Sequence, residues 1–311
     1  MQCSNFSQVT KIVLLGFQNL HRLKSILFLL LLIIYCITLF GNLQIILLVS
    51  SSKNLQTPMY FFLTQLAFSD ILLSSSIVPN MLCVVLYEGT TITFQSCLTQ
   101  FYFFTASEAL ECLLLTVMSY DRYQAICNPL HYSSVINFLF CVKVIILLWA
   151  FIFIIILMIS SSMSHLQFSG SNVIDHFFCD FAPLLDLSCS DTFVVEMESM
   201  LLAIPLVLCP FAIITVSYIY IVFTILKIPS VTGRQKTFST CSSHLAVVSL
   251  YYGSLISIYL FPNQTNIKKV LSLFYTVITP LLNPVIYSLR NTDIKQGLAK
   301  IFFSLKAELL A

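Results

Sequence analysis

The chain has 311 residues, 58% of them hydrophobic and only 9% charged, with a net charge of +2. Soluble domains carry roughly 25% charged residues, so this composition excludes a water-covered globule, and it excludes a disordered chain as well. The near-neutral balance offers no basic surface for nucleic acid, and 11 cysteines lying mostly inside apolar runs do not make a secreted disulfide scaffold.

A helix that crosses the hydrocarbon core needs about 20 mostly apolar residues. The first such segment is 25–49. The second, 58–80, is interrupted only by Asp70, and the third, 97–121, carries Glu108 and Glu111. Four more follow at 140–162, 198–224, 238–260 and 270–289. The runs are continuous and Leu/Ile-rich, unlike the short alternating strands of a barrel. The sequence therefore predicts an all-α membrane protein, a seven-transmembrane helix bundle over 25–289. The first run is too long for a signal peptide and lacks a small-residue cleavage site, so it is read as a retained anchor. Beyond the last span, Ile294, Leu298, Ile301 and Phe302 recur at helical spacing beside Lys295 and Lys300. That pattern predicts a short amphipathic helix on the membrane surface within a cytoplasmic tail, 290–311.

Lys and Arg set the orientation. Alternating loops place Lys53, Arg122, Lys143, Lys227, Arg234, Lys236, Arg290, Lys295, Lys300 and Lys306 on one side, and Lys11, Arg22, Lys24, Lys268 and Lys269 on the other. The richer side is expected in the cytoplasm, with residues 1–24 extracellular. Asn5-Phe6-Ser7 is a glycosylation sequon in that N-terminal segment. Asn263-Gln264-Thr265 is a second one, expected to lie too near the bilayer to be modified.

Ionisable groups at membrane depth are costly, which makes each a functional candidate. Asp70, Glu111, Asn42 and Asn283 are expected to converge on one polar pocket. Two carboxylates in a low dielectric do not both ionise unless a cation separates them. The pocket is thus read as holding Na⁺ or sharing a proton, and also as a polar knot between helices. Asp121-Arg122-Tyr123 at the inner end of span three can act as a lock, with the carboxylate retaining the guanidinium until another partner competes.

Met118 through Tyr123, together with Asn283-Pro284-Val285-Ile286-Tyr287, resembles the rhodopsin-like G-protein-coupled receptors. Further blocks resemble the odorant (olfactory) receptor family in particular. They are Pro58-Met59-Tyr60-Phe61-Phe62-Leu63, the run from Met118 into Asn128-Pro129-Leu130-His131-Tyr132, Ser217-Tyr218, Lys236 through Leu245, and Pro280 through Asn291. They occur in order across almost the whole chain.

The resemblance implies a receptor that binds a small, often volatile odorant in the outer half of the bundle. It would then activate a stimulatory G protein, raising cyclic AMP. Arg122 would face that G protein, with Tyr218 and Tyr287 moving beside it and His244 serving coupling. Tyr252 stands where many relatives have a switch tryptophan; the only Trp here is Trp149 in span four. Cys97 is expected to pair with Cys179. A second family bridge to Cys189 would need a cysteine where Ser169 stands, so a single loop disulfide is expected. Phe101, Phe104, Thr105 and Glu108 share one face of span three, and the family pattern adds Leu202, Leu206, Leu255, Ile256, Tyr259 and Thr276 as pocket walls. Glu108 replaces a small residue. Ionised, it would favour an amine; neutral, as a low dielectric favours, it is only a hydrogen-bond donor. Gln124 replaces an aliphatic beside the coupling face.

A channel or transporter is the competing reading of the intramembrane carboxylates, but no internal repeat is visible and the Asp-Arg-Tyr block has no transport rationale. The chain carries no nucleophile elbow and no metal-ligand spacing, so it is not read as an enzyme.

Overall fold

A computed structural model describes residues 9–17, 23–168, 172–260, 265–290, 294, 295 and 297. The side chains of 236, 239, 240, 258–260, 265, 266, 289 and 290 are outside the described set, as are Asn5, the Asn263 sequon, Ser169 and all but Ile294 and Lys295 of the amphipathic tail pattern.

Seven long helices form the bundle. They are α1 (Lys24–Ser51), α2 (Pro58–Tyr87), α3 (Phe94–Cys127), α4 (Phe138–Ser164), α5 (Phe193–Leu226), α6 (Val231–Leu260) and α7, which runs through Thr265–Leu273, Phe274–Ile278 and Thr279–Arg290. Among the described residues, six are long and apolar enough to cross a bilayer by length and composition. The seventh, α6, is 30 residues long and opens on the polar stretch Thr232-Gly233-Arg234-Gln235-Lys236.

The helix starts follow local chemistry. Pro58 opens α2, where a missing N–H costs nothing. Thr93 Oγ1 accepts from Ser96 N (3.1 Å) to cap α3, and Asn137 Oδ1 accepts from Phe140 N (2.9 Å) to cap α4. α2 ends at Glu88, which takes a left-handed φ of 56°, followed by Gly89 at 141°. α2 and α3 are the most enclosed helices. α1, α4 and α5 turn most of their apolar side chains outward, as membrane-facing helices do. α3 runs two turns past Asp121 to Cys127, so the Asp-Arg-Tyr block lies within the helix rather than at its end as the sequence suggested. α5 and α7 each contain a five-residue π-turn, Ile204–Leu208 and Phe274–Ile278, which shifts the helical face along the chain.

At the Cys97 end the chain weaves a small sheet across the bundle. β1 (Lys11–Leu14) lies in the middle, antiparallel to β2 (Thr90–Thr93) and parallel to β3 (Val173–Ile174). The N-terminal segment is therefore wedged between two loops. Ile12 and Leu14 are fully buried against the outer core, so alternate residues of β1 point inward. At Gly16, φ is +61° and a Cβ would collide with the Val84 side chain, so the strap turns there on the one residue that fits.

Candidate functional site

The Cys97–Cys179 disulfide forms as expected, with Cα atoms 5.6 Å apart. Gln100 reinforces it: Oε1 accepts from the Cys179 backbone N–H (3.0 Å), and Nε2 donates to Ser76 O (2.8 Å). Cys189 is also disulfide-bonded, which corrects the expectation of a single loop bridge.

The staple drives loop residues into the bundle. His176, Phe177 and Phe178 are buried and form a roof over the face of α3 that carries the expected ligand residues. Phe178 packs edge-on to Phe104 at 4.9 Å, Phe181 stacks on Phe101 at 6.3 Å, and Tyr275 lies 6.2 Å from Phe104. Leu206 and Thr276 are buried, while Thr105, Leu202 and Leu255 are half-buried. Thr276 Oγ1 donates back to Ser272 O (2.7 Å) and so is already satisfied. The side chain of Tyr259 lies outside the described residues. Ile256 departs from expectation. The inward stripe of α6 runs through His244, Val247, Val248, Tyr251, Tyr252 and Ser254, which turns Ile256 toward an outer groove between α5 and α6, 48% exposed. The roof residues and Tyr275 were not singled out from the sequence. Two phenylalanines immediately before the stapled cysteine were the available signal.

Above the roof, Lys269 of α7 is almost fully buried. Its Nζ donates to Gly16 O (2.8 Å) and to Asp175 Oδ1 (2.5 Å), tying strap, loop and helix together. His176 sits below, with Nε2 3.5 Å from Ser272 Oγ, and burial and the nearby Lys269 charge push its pKa down to about 3. A depressed histidine pKa means that the unfolded chain takes up the proton first. The stability due to neutral His176 is full above about pH 6.5 and is lost as pH falls toward 3. Between pH 6.5 and 5 that is roughly 2 kcal/mol. Purified receptor is expected to lose thermal stability over this range, with a shallower loss in His176→Gln; equal slopes would remove the assignment.

Deeper in the bundle, Asn283 Nδ2 lies 3.1 and 3.0 Å from the two oxygens of Asp70 and 3.2 Å from Glu111 Oε1, and all three residues are buried. Asn42 does not join them; its amide donates to Thr38 O and Pro280 O (both 3.0 Å), fastening α1 to α7. A polar relay that the sequence did not reveal ties α6 to α3 beside this level. Tyr252 Oη donates to Cys112 Sγ (3.6 Å), the Cys112 thiol to Tyr251 Oη (3.2 Å), and Tyr251 Oη to Glu108 O (2.9 Å).

At the opposite end, Asp121 Oδ2 holds Arg122 through Nη2 (2.6 Å) and Nε (3.0 Å), while Asp121 Oδ1 accepts from Tyr132 Oη (2.8 Å). Burial and the adjoining Asp121 charge raise the Tyr132 pKa, so its proton stays in this bond. Tyr218 Oη pairs with His244 Nδ1 at 2.7 Å. Tyr287 is fully buried and its hydroxyl has no partner among the described residues. Tyr123 meets Tyr220 ring to ring at 6.1 Å, and Gln124 donates to Tyr120 Oη (2.8 Å). The guanidinium is thus locked, with Tyr218 held by His244.

The chain matches the family model described as olfactory receptor over residues 31–305. Human olfactory receptor 11L1 is 46% identical over 304 residues, covering 97% of this chain and 94% of its own length. Human olfactory receptor 1L1 is 45% identical, covering 98% of this chain and 85% of its own length. Rat olfactory receptor 1468 is 44% identical, covering 96% of each. On this likeness and this bundle, the chain belongs to the olfactory receptor family: a multi-pass, seven-transmembrane receptor rather than an enzyme.

Proposed function

We propose that this chain is an odorant receptor of the plasma membrane, with its N-terminus outside and its C-terminus cytoplasmic, as the Lys/Arg bias favours. A small, mostly apolar odorant binds beneath the stapled loop, and the receptor then activates a stimulatory G protein that raises cyclic AMP. The observation that carries this reading is the arrangement of α3. One end carries Phe101, Phe104 and Glu108 beneath the Phe177–Phe178 roof, the region read here as the ligand chamber; the other holds Arg122 in the Asp121 lock. Between them the Tyr251–Cys112–Tyr252 relay couples α3 to α6. An odorant that displaces Tyr251 or Tyr252 shifts α6, which strains the Tyr218–His244 pair. Tyr218 and Tyr287 are then available to compete for Arg122.

Asp70, Glu111 and Asn283 fit a hard monovalent cation. Ser74, one turn along α2 from Asp70, has an unpartnered hydroxyl among the described residues, as have Glu111 Oε2 and Asn283 Oδ1. All are oxygen donors, the type that alkali and alkaline-earth ions select. Na⁺ held by these residues would offset one of the two carboxylate charges, leaving the pair at −1 or, with one carboxyl protonated, neutral.

The test is an odorant panel in cells that lack downstream channels. Ligand-evoked cyclic AMP without transmembrane current is the expected result, abolished in Arg122→Ala at matched surface levels. Current without cyclic AMP would favour a channel and overturn the receptor reading.

A further inference from the structure

Glu108 is a buried carboxyl without a counter-ion. The residue is 9% exposed and its Oε1 has no hydrogen-bond partner among the described residues, so Tyr251 is the one side chain that hydrogen-bonds the carboxyl there. The ion pairs found there are Lys24–Glu88, Arg122–Asp121 and Lys269–Asp175, none of which involves it. A buried carboxyl left this way is costly unless it stays neutral or a ligand brings a cation. Two further features favour the cation. Other carboxyl groups act electrostatically on Glu108: Glu111, one turn along α3, most strongly, and to a lesser extent Asp180, which lies in the stapled loop between Phe178 and Phe181. The side chains packed one turn above Glu108 are aromatic, with Phe104 facing Phe178 at 4.9 Å and Tyr275 at 6.2 Å. Ring faces attract cations, most strongly where water is excluded. Of the nearby lysines, Lys269 is committed to Asp175 and Gly16, while Lys268 acts on Asp180 and offsets part of its charge, which leaves Glu111 as the stronger contribution.

We propose that the chamber is selective for a protonated aliphatic amine, its ammonium on the Glu108 carboxylate and its apolar tail among Phe101, Phe104 and Leu206. This deepens the receptor reading above and rests on it. A charge-assisted hydrogen bond distinguishes an amine from its isosteric alcohol, which offers the same shape and a hydroxyl but no charge.

The test uses n-alkylamines of roughly four to ten carbons, sized to a small-molecule pocket, against the matching n-alkanols, read by cyclic AMP at measured surface levels. The best amine is expected to exceed its alcohol at least tenfold in potency. Glu108→Gln should raise the amine EC50 by roughly ten- to a hundredfold, the range that loss of a charged hydrogen bond gives. Glu108→Asp should recover most of that loss, as a purely structural role would not allow. Asp180→Asn should shift the amine EC50 in the same direction by less. Equal potency of amine and alcohol, or an amine EC50 unmoved in Glu108→Gln, would overturn the proposal while leaving the receptor reading intact. If neither series nor any neutral odorant raises cyclic AMP, the receptor reading itself fails and this proposal with it.

Discussion

Replacing Cys97 or Cys179 by serine is expected to destabilise the receptor by about 2–5 kcal/mol and to leave little of it at the cell surface. The bond closes a long loop, with the two cysteines 82 residues apart, and it holds more than two backbones together. Phe177 and Phe178, next to Cys179 in sequence, are fully buried in the outer core. β3 supplies the edge on which β1 hydrogen-bonds, and Lys269 clamps both strap and loop. Release of Cys179 therefore frees a roof, a sheet and a helix tie together. Surface staining of a tagged receptor, normalised to total protein, measures the effect. The double serine variant should be no worse than either single one, because the lone thiol that could mispair is gone. Single variants delivered at wild-type levels would mean that the Gln100 clamp alone holds the roof.

The bundle was legible because lipid imposes its own length rule: each helix is an apolar run long enough to cross it. Lock and acid cluster were legible because Asp121-Arg122 and the buried acids have few roles open to them at membrane depth, whereas the Cys97–Cys179 staple was legible only through the family resemblance. What was hidden depends on contacts between distant segments. Lys11-Ile12-Val13-Leu14 reads as an unremarked stretch until β2 and β3 flank it. Phe177 and Phe178 look like ordinary loop aromatics until Cys179 is fixed to α3. Ile256 was misplaced because a family pattern names positions without fixing the rotation of α6 against α5, and adjacent helical residues such as Leu255 and Ile256 point about 100° apart. The π-turns in α5 and α7 add a residue to the period, so the phase of Leu202 relative to Leu206, or of Tyr275 relative to Pro280, cannot be counted at 3.6 residues per turn. Asn42 matched the acids in depth, yet its amide N–H groups are taken by the Pro280 carbonyl of α7 and the Thr38 carbonyl of its own helix.

Asn283→Leu is expected to be the most damaging single change inside the bundle, destabilising by roughly 3–5 kcal/mol, the cost of removing one partner from a buried charged cluster. The Asn283 amide is the donor shared by Asp70 and Glu111, at 3.0–3.2 Å. Without it, two carboxyls face each other with nothing to satisfy them. If that is the cause, the penalty belongs to the acids rather than to the volume of the side chain. It should shrink when Asp70→Asn and Glu111→Gln have already neutralised them, a non-additivity expected only among residues in direct contact. The midpoint of thermal unfolding of detergent-solubilised receptor reads both effects. The same cluster gives the sign for salt. A cation that binds only the folded state raises its stability, so exchanging Na⁺ for N-methylglucamine should lower the midpoint in the wild type and leave it unmoved in Asp70→Asn. An Asn283→Leu loss of equal size in the neutralised background would show that the asparagine packs rather than donates, and the cluster would then be a structural knot with no call on a cation.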